Sequence, residues 1–217
     1  MSSFLLKIVA IITMTIDHIG LAFFGNKLIL RKIGRIAMPI FAFQVGVGFK
    51  KTKSKLKYIL RMICIALISE LPFLFMLHSA NYKSFSLNIC FTFTLALLSL
   101  YFLDLGKKNK FFYLASIIPV ILSALIPMDY GIYGVTLVLL SYFFQNKKIM
   151  LAYSMIATAV IYYLVENNSI QLYMLLALPF LCLYNGKKGI DLKYLFYTFY
   201  PLHMLILGLI RFYLNTH

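Results

Sequence analysis

The chain is poor in charge, above all in acidic charge, and it contains no tryptophan. Only 12% of its 217 residues are charged, and six acids stand against 21 lysines and arginines, which gives a net charge of +15. Hydrophobic residues, by contrast, make up 62% of the sequence. Soluble domains are only about half apolar, so this composition excludes an ordinary soluble enzyme and predicts an integral membrane protein.

The scarcity of cysteine and the placement of the basic residues exclude two further classes. Cys64, Cys90 and Cys182 all fall within apolar runs and lack the spacing of metal ligands, so we expect free buried thiols and no metal site. The lysines form short clusters between apolar runs, which is typical of loops retained on the cytoplasmic side. No aromatic and basic platform accompanies them, and we therefore expect no nucleic-acid partner.

Apolar runs recur along the whole chain, separated by breakers such as "KKTKSK", "GKKNK" and "NGKKGID". Most runs have about 17–23 residues, enough for a helix to cross ~30 Å of hydrocarbon, and those over residues 131–146 and 169–184 are shorter. The pattern predicts an all-α fold, a polytopic transmembrane helical bundle of about nine helices, as a single integral membrane domain over residues 1–217. The predicted helices span roughly residues 4–25, 33–50, 57–77, 87–105, 111–127, 131–146, 149–166, 169–184 and 192–214.

The basic residues also predict an orientation. The loops after the second, fourth, sixth and eighth predicted helices carry basic clusters, whereas those after the third, fifth and seventh carry only Lys83. The positive-inside rule then places the N-terminus in the cytoplasm and the C-terminus outside. The loop after the first helix breaks the alternation, because it carries Lys27, Arg31 and Lys32.

In this orientation several polar side chains fall within one layer, which extends from the outer half of the membrane to His203 near its midplane. At a rise of 1.5 Å per residue they occupy a layer roughly 10 Å thick. An ionisable side chain at such a depth costs about 3 kcal/mol or more unless it is paired or hydrated, so we expect a polar cavity inside the bundle. The members of this layer are Asp17, His18, Arg35, Glu70, Asn88, Tyr133 and His203.

Asp17 and His18 are adjacent, and adjacent residues of a helix do not face one another. We therefore expect His18 to face the cavity while Asp17 pairs with another helix, through Arg35. The same residues also have purely structural explanations. Arg35 with Glu70 or Asp17 would serve as an ion pair that fixes helix packing, and His203 would satisfy a carbonyl freed by Pro201.

Familiar enzyme signatures are absent: the sequence contains no G-x-S-x-G, no H-E-x-x-H, no P-loop and no Rossmann glycine pattern. Any catalysis must therefore rest on imidazole, carboxylate and guanidinium groups.

At these residues the sequence resembles the TraX family, membrane acetyltransferases named for the protein that acetylates the N-terminus of a conjugative pilin. The resemblance extends in order from near residue 6 to near residue 208. It is more loosely similar to acyltransferase-3 and lysosomal glucosaminide acetyltransferase proteins, which use an intramembrane histidine with acetyl-CoA. The matching stretches are "LKIVAIITMTIDHIG", "RKIGRIAMPIFAF", "LISELPF", "NICFTF", "DYGIYG", "LALPFLCLYNGKKG" and "FYTFYPLHMLIL".

The resemblance implies a multi-pass protein of the bacterial inner membrane that transfers an acetyl group from acetyl-CoA. The acceptor would be a peptide amine or a glycan hydroxyl reached from the extracytoplasmic side. His18 would be the catalytic base or, alternatively, would carry a transient acetyl group, with Arg35 as its partner in stabilising the oxyanion, helped by Asn88 or Tyr133.

Two groups of residues would support this reaction. Asp17 and Glu70 would orient the catalytic groups, and His203 would complete the polar cavity. Basic residues at the cytoplasmic mouth would hold the phosphates of acetyl-CoA; they are Lys50, Lys51, Lys53 and Lys55.

Two other classes of function stay open on the sequence alone. One is a proton-coupled small-molecule transporter that relays protons through Asp17, Glu70 and His203, although the chain contains no internal duplication of the kind common in transporters. The other is a non-catalytic assembly factor of the cell envelope.

Overall fold

A computed structural model describes residues 1–25, 28–82, 85–190 and 193–216, and of residues 193–196 it describes the backbone alone. Lys27 and Lys83, which entered the count of basic loops, lie outside the described residues. The predicted all-α fold is confirmed. No strand forms within the described ranges, where a single isolated parallel bridge joins Leu87 and Met128.

The nine predicted helical segments are all present in the described part of the chain, although three of them are interrupted. The α-helices are α1 (Ser3–Phe23), α2 (Leu28–Gly34), α3 (Ala37–Lys51), α4 (Lys55–Ser79), α5 (Ile89–Gly106), α6 (Phe111–Ala115), α7 (Ile117–Leu125), α8 (Gly131–Phe144), α9 (Lys148–Glu166), α10 (Leu178–Cys182) and α11 (Lys193–Thr216), and a 3₁₀ helix covers Ser169–Ala177.

The segment over residues 33–50, predicted as one helix, is interrupted by a turn at Arg35 and Ile36. Its greater part forms α3, whereas α2 lies mostly in the stretch that was predicted to be a loop. Pro39 explains the interruption. A proline has no N–H for the carbonyl four residues earlier, and its ring clashes with that carbonyl. The carbonyl in question belongs to Arg35, which lies in the turn between the two helices.

Prolines also mark the other two interruptions. Pro119 stands four residues after Ala115, where the predicted fifth helix divides into α6 and α7 at Ser116. Pro179 lies in the first turn of α10, where a missing N–H is tolerated. The predicted eighth helix is therefore a 3₁₀ helix followed by a short α-helix.

Four described helices are long and apolar enough, by length and composition, to cross a membrane: α1, α4, α5 and α9. This agrees with the prediction of a membrane protein.

The chain divides into two compact units that are interleaved in sequence, so the single domain over residues 1–217 stays a prediction. The first unit comprises Met1–Phe41, Ile68–Phe85 and Ala159–His217, and the second comprises Ala42–Leu67 and Ser86–Thr158.

In the first unit, α1 packs against α2 and α11, and α2 packs against the 3₁₀ helix. The C-terminal part of α4 approaches α11 closely at Gly208, where a Cβ atom would lie 2.7 Å from Cδ1 of Phe75. The side chain of Asn215 donates to the carbonyl oxygen of Ser79 at 2.8 Å. The contacts with α2 and α11 place α1 between the elements that carry the basic and imidazole side chains described below.

In the second unit, α5 packs against α6, α7 and α8. The side chain of Ser99 donates to the carbonyl oxygen of Ser116, at the interruption between α6 and α7. Gly46 of α3 allows the backbone of α8 to approach, because a Cβ atom there would lie 2.9 Å from the backbone nitrogen of Tyr142.

Candidate functional site in the first unit

Asp17 lies on the face of α1 that packs against α2, and it pairs with two guanidinium groups. Arg31 of α2 donates to Oδ2 of Asp17, and Nη2 of Arg35 lies 3.4 Å from Oδ1. Asp17 and Arg35 are 8% and 7% exposed. The expected pairing of Asp17 with Arg35 is thus present, whereas the pairing with Arg31 was not expected from the sequence.

The absence of a side chain at Gly34 allows this approach. A Cβ atom at Gly34 would overlap the carboxylate of Asp17. The motif "RKIGR" therefore combines two basic residues that bind the carboxylate with a glycine between them that makes room for it.

His18 points to a different side of α1 and meets the last helix. Its Nδ1 atom lies 2.8 Å from Nε2 of His203 in α11. The two rings are stacked, with centroids 5.1 Å apart and planes inclined by 23°. Asp17 and His18 thus bind different helices, as expected for neighbours on a helix, and the pairing of His18 with His203 is a contact that the sequence did not predict.

His203 is buried and held by its own helix. Its Nδ1 atom lies 2.8 Å from the carbonyl oxygen of Phe199, and its ring stacks on the Phe199 ring with centroids 4.9 Å apart. The carbonyl that Pro201 deprives of an N–H partner is that of Tyr197, four residues before the proline. The hydrogen bond to Phe199 therefore differs from the one proposed in the structural explanation.

Glu70 belongs to the same unit and lies in α4, two residues before Pro72, where it is partly buried. Its place in the catalytic group stays a prediction.

The other two predicted members of the polar layer lie in the second unit. The amide of Asn88 caps α5 by accepting from the backbone of Cys90 at 2.9 Å, and it donates to the carbonyl oxygen of Ala66 at 2.8 Å. Both polar ends of this buried amide are thus used in structure. Tyr133 is buried in α8 and stacks on Tyr130, with ring centroids 6.1 Å apart.

The predicted acetyl-CoA lysines also lie in the second unit, at the end of α3 and the start of α4. Lys55 pairs with Asp104 and lies over the ring of Phe49, 4.8 Å from its centroid. Lys50, Lys51 and Lys53 are exposed.

Asp104 has a second basic partner, Lys107, at 2.8 Å. The hydrogen bond with this carboxylate raises the pKa of Lys107. Lys55 is therefore part of a small surface ion-pair group, which the sequence did not indicate.

Comparison with known proteins decides the family. A family model described as "TraX protein" matches residues 2–211. The chain belongs to the TraX family. The resemblance of the seven quoted stretches is therefore confirmed, and the family match extends over the whole described site.

Two similar proteins have names or descriptions of their own. The chain is 31% identical to the "Probable fimbrial assembly protein FimC, serogroup H1" of Dichelobacter nodosus, over 95% of this chain and 94% of that protein. It is 32% identical to an uncharacterized protein of Rickettsia prowazekii (strain Madrid E), over 66% of this chain and 56% of that protein. No solved structure matches the chain.

Proposed function

We propose that this TraX-family protein is an integral membrane acetyltransferase that moves an acetyl group from acetyl-CoA to an amine or hydroxyl acceptor reached from the extracytoplasmic side. The observation that carries the proposal is the convergence in one unit of an imidazole pair, His18 with His203, and a carboxylate, Asp17, bound by two guanidinium groups. These are the groups on which transfer without a serine, cysteine or metal centre must rest.

The reaction needs a base for the proton of the acceptor. The acceptor nitrogen or oxygen attacks the carbonyl carbon of the acetyl thioester, a new C–N or C–O bond forms and the C–S bond breaks. His18 takes the proton that the acceptor loses and returns it to the departing sulfur of coenzyme A. The products are the acetylated acceptor and the free thiol, so no other reactant is required. General-base catalysis of this kind contributes ~10²–10⁴ in rate.

The attack also generates negative charge on the thioester oxygen. Asp17 supplies one negative charge and Arg31 and Arg35 supply two positive charges, so this trio carries a net charge of +1. A buried, preorganised positive charge in the same unit as the base is suited to stabilising an oxyanion. Arg35 is the member that we assign to this task, while Asp17 holds it in position.

Two further observations bear on the acceptor and on the cosubstrate site. The relative in D. nodosus carries a name that refers to fimbrial assembly, which favours a peptide amine of a surface fibre over a glycan hydroxyl. Lys50, Lys51 and Lys53 are exposed and close in sequence, as a site for the phosphates of acetyl-CoA requires. Lys55 has a lesser part, because it is engaged by Asp104.

An acetyl-transfer assay tests the proposal. It combines purified protein in lipid nanodiscs, radiolabelled acetyl-CoA and membranes from a deletion strain as the source of acceptor. Covalent transfer of label that requires the protein supports it. The transporter alternative predicts no transfer, but uptake of a solute into proteoliposomes driven by a proton gradient. A relay through Asp17 would have to break two ion pairs in every cycle, which counts against transport.

A further inference from the structure

Three groups on α1 and α11 form a continuous hydrogen-bonded chain. The carbonyl oxygen of Phe199 lies 2.8 Å from Nδ1 of His203, and Nε2 of His203 lies 2.8 Å from Nδ1 of His18. His203 is thus bonded through both ring nitrogens, whereas the chain reaches His18 at Nδ1 only. Because each hydrogen bond requires one donor and one acceptor, the acceptor at one end of these linked hydrogen bonds fixes which ring nitrogen carries the hydrogen at the other end.

The direction of the chain follows from the carbonyl group. A carbonyl oxygen can only accept, so Nδ1 of His203 must carry the hydrogen. In a neutral imidazole the other nitrogen is then an acceptor. Nε2 of His203 therefore accepts, and Nδ1 of His18 donates. Neutral His18 is consequently left with its lone pair on Nε2, the nitrogen that does not face His203.

We propose that His203 is a positioning residue that holds His18 in the Nδ1–H tautomer and so makes Nε2 of His18 the catalytic base. The catalytic consequence rests on the acetyl transfer proposed above, while the tautomer itself does not. The second nitrogen of an imidazole commonly sets the tautomer in this way. Here the orienting group is a neutral imidazole, because the neighbouring carboxylate, Asp17, is committed to Arg31 and Arg35.

The arrangement also serves the charged stage of the reaction. When Nε2 of His18 accepts the proton from the acceptor, the ring becomes an imidazolium with hydrogens on both nitrogens. Its Nδ1–H remains hydrogen-bonded to the lone pair on Nε2 of His203, which stabilises the positive charge. The proton then leaves from Nε2 to the sulfur of coenzyme A, and both rings return to their starting state.

His203 is held rigidly enough for this task. It is 7% exposed, and its ring stacks on Phe199 with the planes inclined by 11°. The bond to Phe199 spans one helical turn, so acceptor and ring are fixed on the same element. A side chain with this much support is preorganised, which is what an orienting group in a catalytic site requires.

Nitrogen NMR of the protein labelled with ¹⁵N-histidine tests the tautomer directly. The His18 signals are assigned by their loss in His18→Gln. The spectrum is recorded at a pH at which both His18 and His203 are neutral. We expect the directly bonded hydrogen on Nδ1 of His18 and an unprotonated Nε2. A hydrogen on Nε2 of His18 in the wild-type protein would overturn the proposal, whatever the activity of the enzyme. The expected tautomer in a protein that transfers no acetyl group would instead refute the proposed function and leave this inference standing.

Two variants of His203 separate positioning from proton relay and from support of the fold. His203→Gln keeps a donor for the Phe199 carbonyl and an acceptor for Nδ1–H of His18, whereas His203→Leu removes both. We expect His203→Leu to lose ~10²-fold in kcat with KM for acetyl-CoA unchanged, and to shift the hydrogen of His18 to Nε2. His203→Gln should retain most of the activity and the Nδ1–H tautomer.

The matched control is His78→Gln, since His78 is an exposed histidine near the end of α4. It should leave both the kinetics and the His18 signals unchanged. Equal loss in His203→Gln and His203→Leu would show that a titratable group is required and would contradict positioning. Unchanged His18 signals in a folded His203→Leu protein would do the same.

Discussion

Arg35 and Asp17 form a buried ion pair, with Nη2 of Arg35 3.4 Å from Oδ1 of Asp17. Arg35 lies where α2 ends and α3 has not begun, because Pro39 cannot supply an N–H to its carbonyl. The interruption thus places the guanidinium on the approach to α1, and the ion pair compensates both charges. Breaking the pair on one side alone would leave an uncompensated buried charge, which is strongly destabilising.

Gly34→Ala should destabilise the protein. The added Cβ atom would overlap the carboxylate of Asp17, and overpacking of this kind costs about 1–3 kcal/mol. Without such an overlap, alanine in place of a helical glycine would stabilise by about 1 kcal/mol, so the sign of the change is informative. Thermal unfolding in detergent measures this change in stability.

Gly25→Asn provides the matched control for Gly34→Ala. Gly25 lies in the neighbouring turn with φ +57° and nothing within 4 Å of a Cβ atom, and asparagine tolerates this left-handed conformation. The control should unfold near the wild-type temperature. A Gly34→Ala protein more stable than the wild type would contradict the packing of α2 against α1.

The helical segments of the described part of the chain could largely be predicted from the sequence, because the length of an apolar run is a local property. The interruptions could have been predicted in part, since Pro39, Pro119 and Pro179 stand at or just after them. Pro72 and Pro201, however, lie inside continuous helices. A proline therefore signals a break only when the surrounding packing allows one.

The pairing of Asp17 with Arg35 could be predicted from the sequence, but the pairing of His18 with His203 could not, because it depends on which faces of distant helices meet. His18 and His203 are 185 residues apart in sequence, and no periodic pattern relates them. Asn88 has a structural role that the sequence does indicate. An asparagine at the start of an apolar run is a common N-cap, and the structure uses it as one, so its predicted help to the oxyanion has a simpler structural explanation.

Removing charge at the end of α3 should weaken binding of acetyl-CoA. The double variant Lys50→Gln with Lys53→Gln is expected to raise KM for acetyl-CoA several-fold, and high salt should reduce the difference because exposed charges are screened. Steady-state kinetics in nanodiscs measure both effects. Lys108→Gln with Lys110→Gln removes the same charge from another exposed basic loop and serves as the control. Equal changes in KM for the two double variants would contradict a cosubstrate site at Lys50 and Lys53.

Labelling of single cysteines tests the predicted orientation. In a protein whose three native cysteines are replaced by serine, Ser54→Cys and Ser169→Cys are near-isosteric changes at exposed positions. An impermeant thiol reagent added to whole cells should label Ser169→Cys and spare Ser54→Cys until the membrane is permeabilised. The reverse pattern would invert the topology, and labelling of both in intact cells would contradict the predicted number of crossings between them.

Asp17→Asn tests whether Asp17 orients the catalytic groups or acts on the substrate itself. The amide keeps a hydrogen-bond acceptor for one arginine but no longer offsets the charge of Arg31 and Arg35. We expect kcat to fall by ~10-fold to 10²-fold, less than on removal of His18, when the proteins are compared at matched abundance because loss of the charge also destabilises the fold. Loss as complete as that of the His18 variants, in protein of normal abundance, would mean that Asp17 acts directly on the substrate.

Acetyl transfer by His18 variants is the most direct test of His18 as the catalytic base. Membranes of a deletion strain are complemented with wild-type protein, His18→Ala, His18→Gln or the control His78→Gln at matched abundance, and each is supplied with radiolabelled acetyl-CoA. Because neither alanine nor glutamine can take up the proton of the acceptor, both His18 variants should fall ~10²–10⁴-fold, while His78→Gln transfers label at the wild-type rate. Transfer at the wild-type rate by His18→Ala would contradict the mechanism.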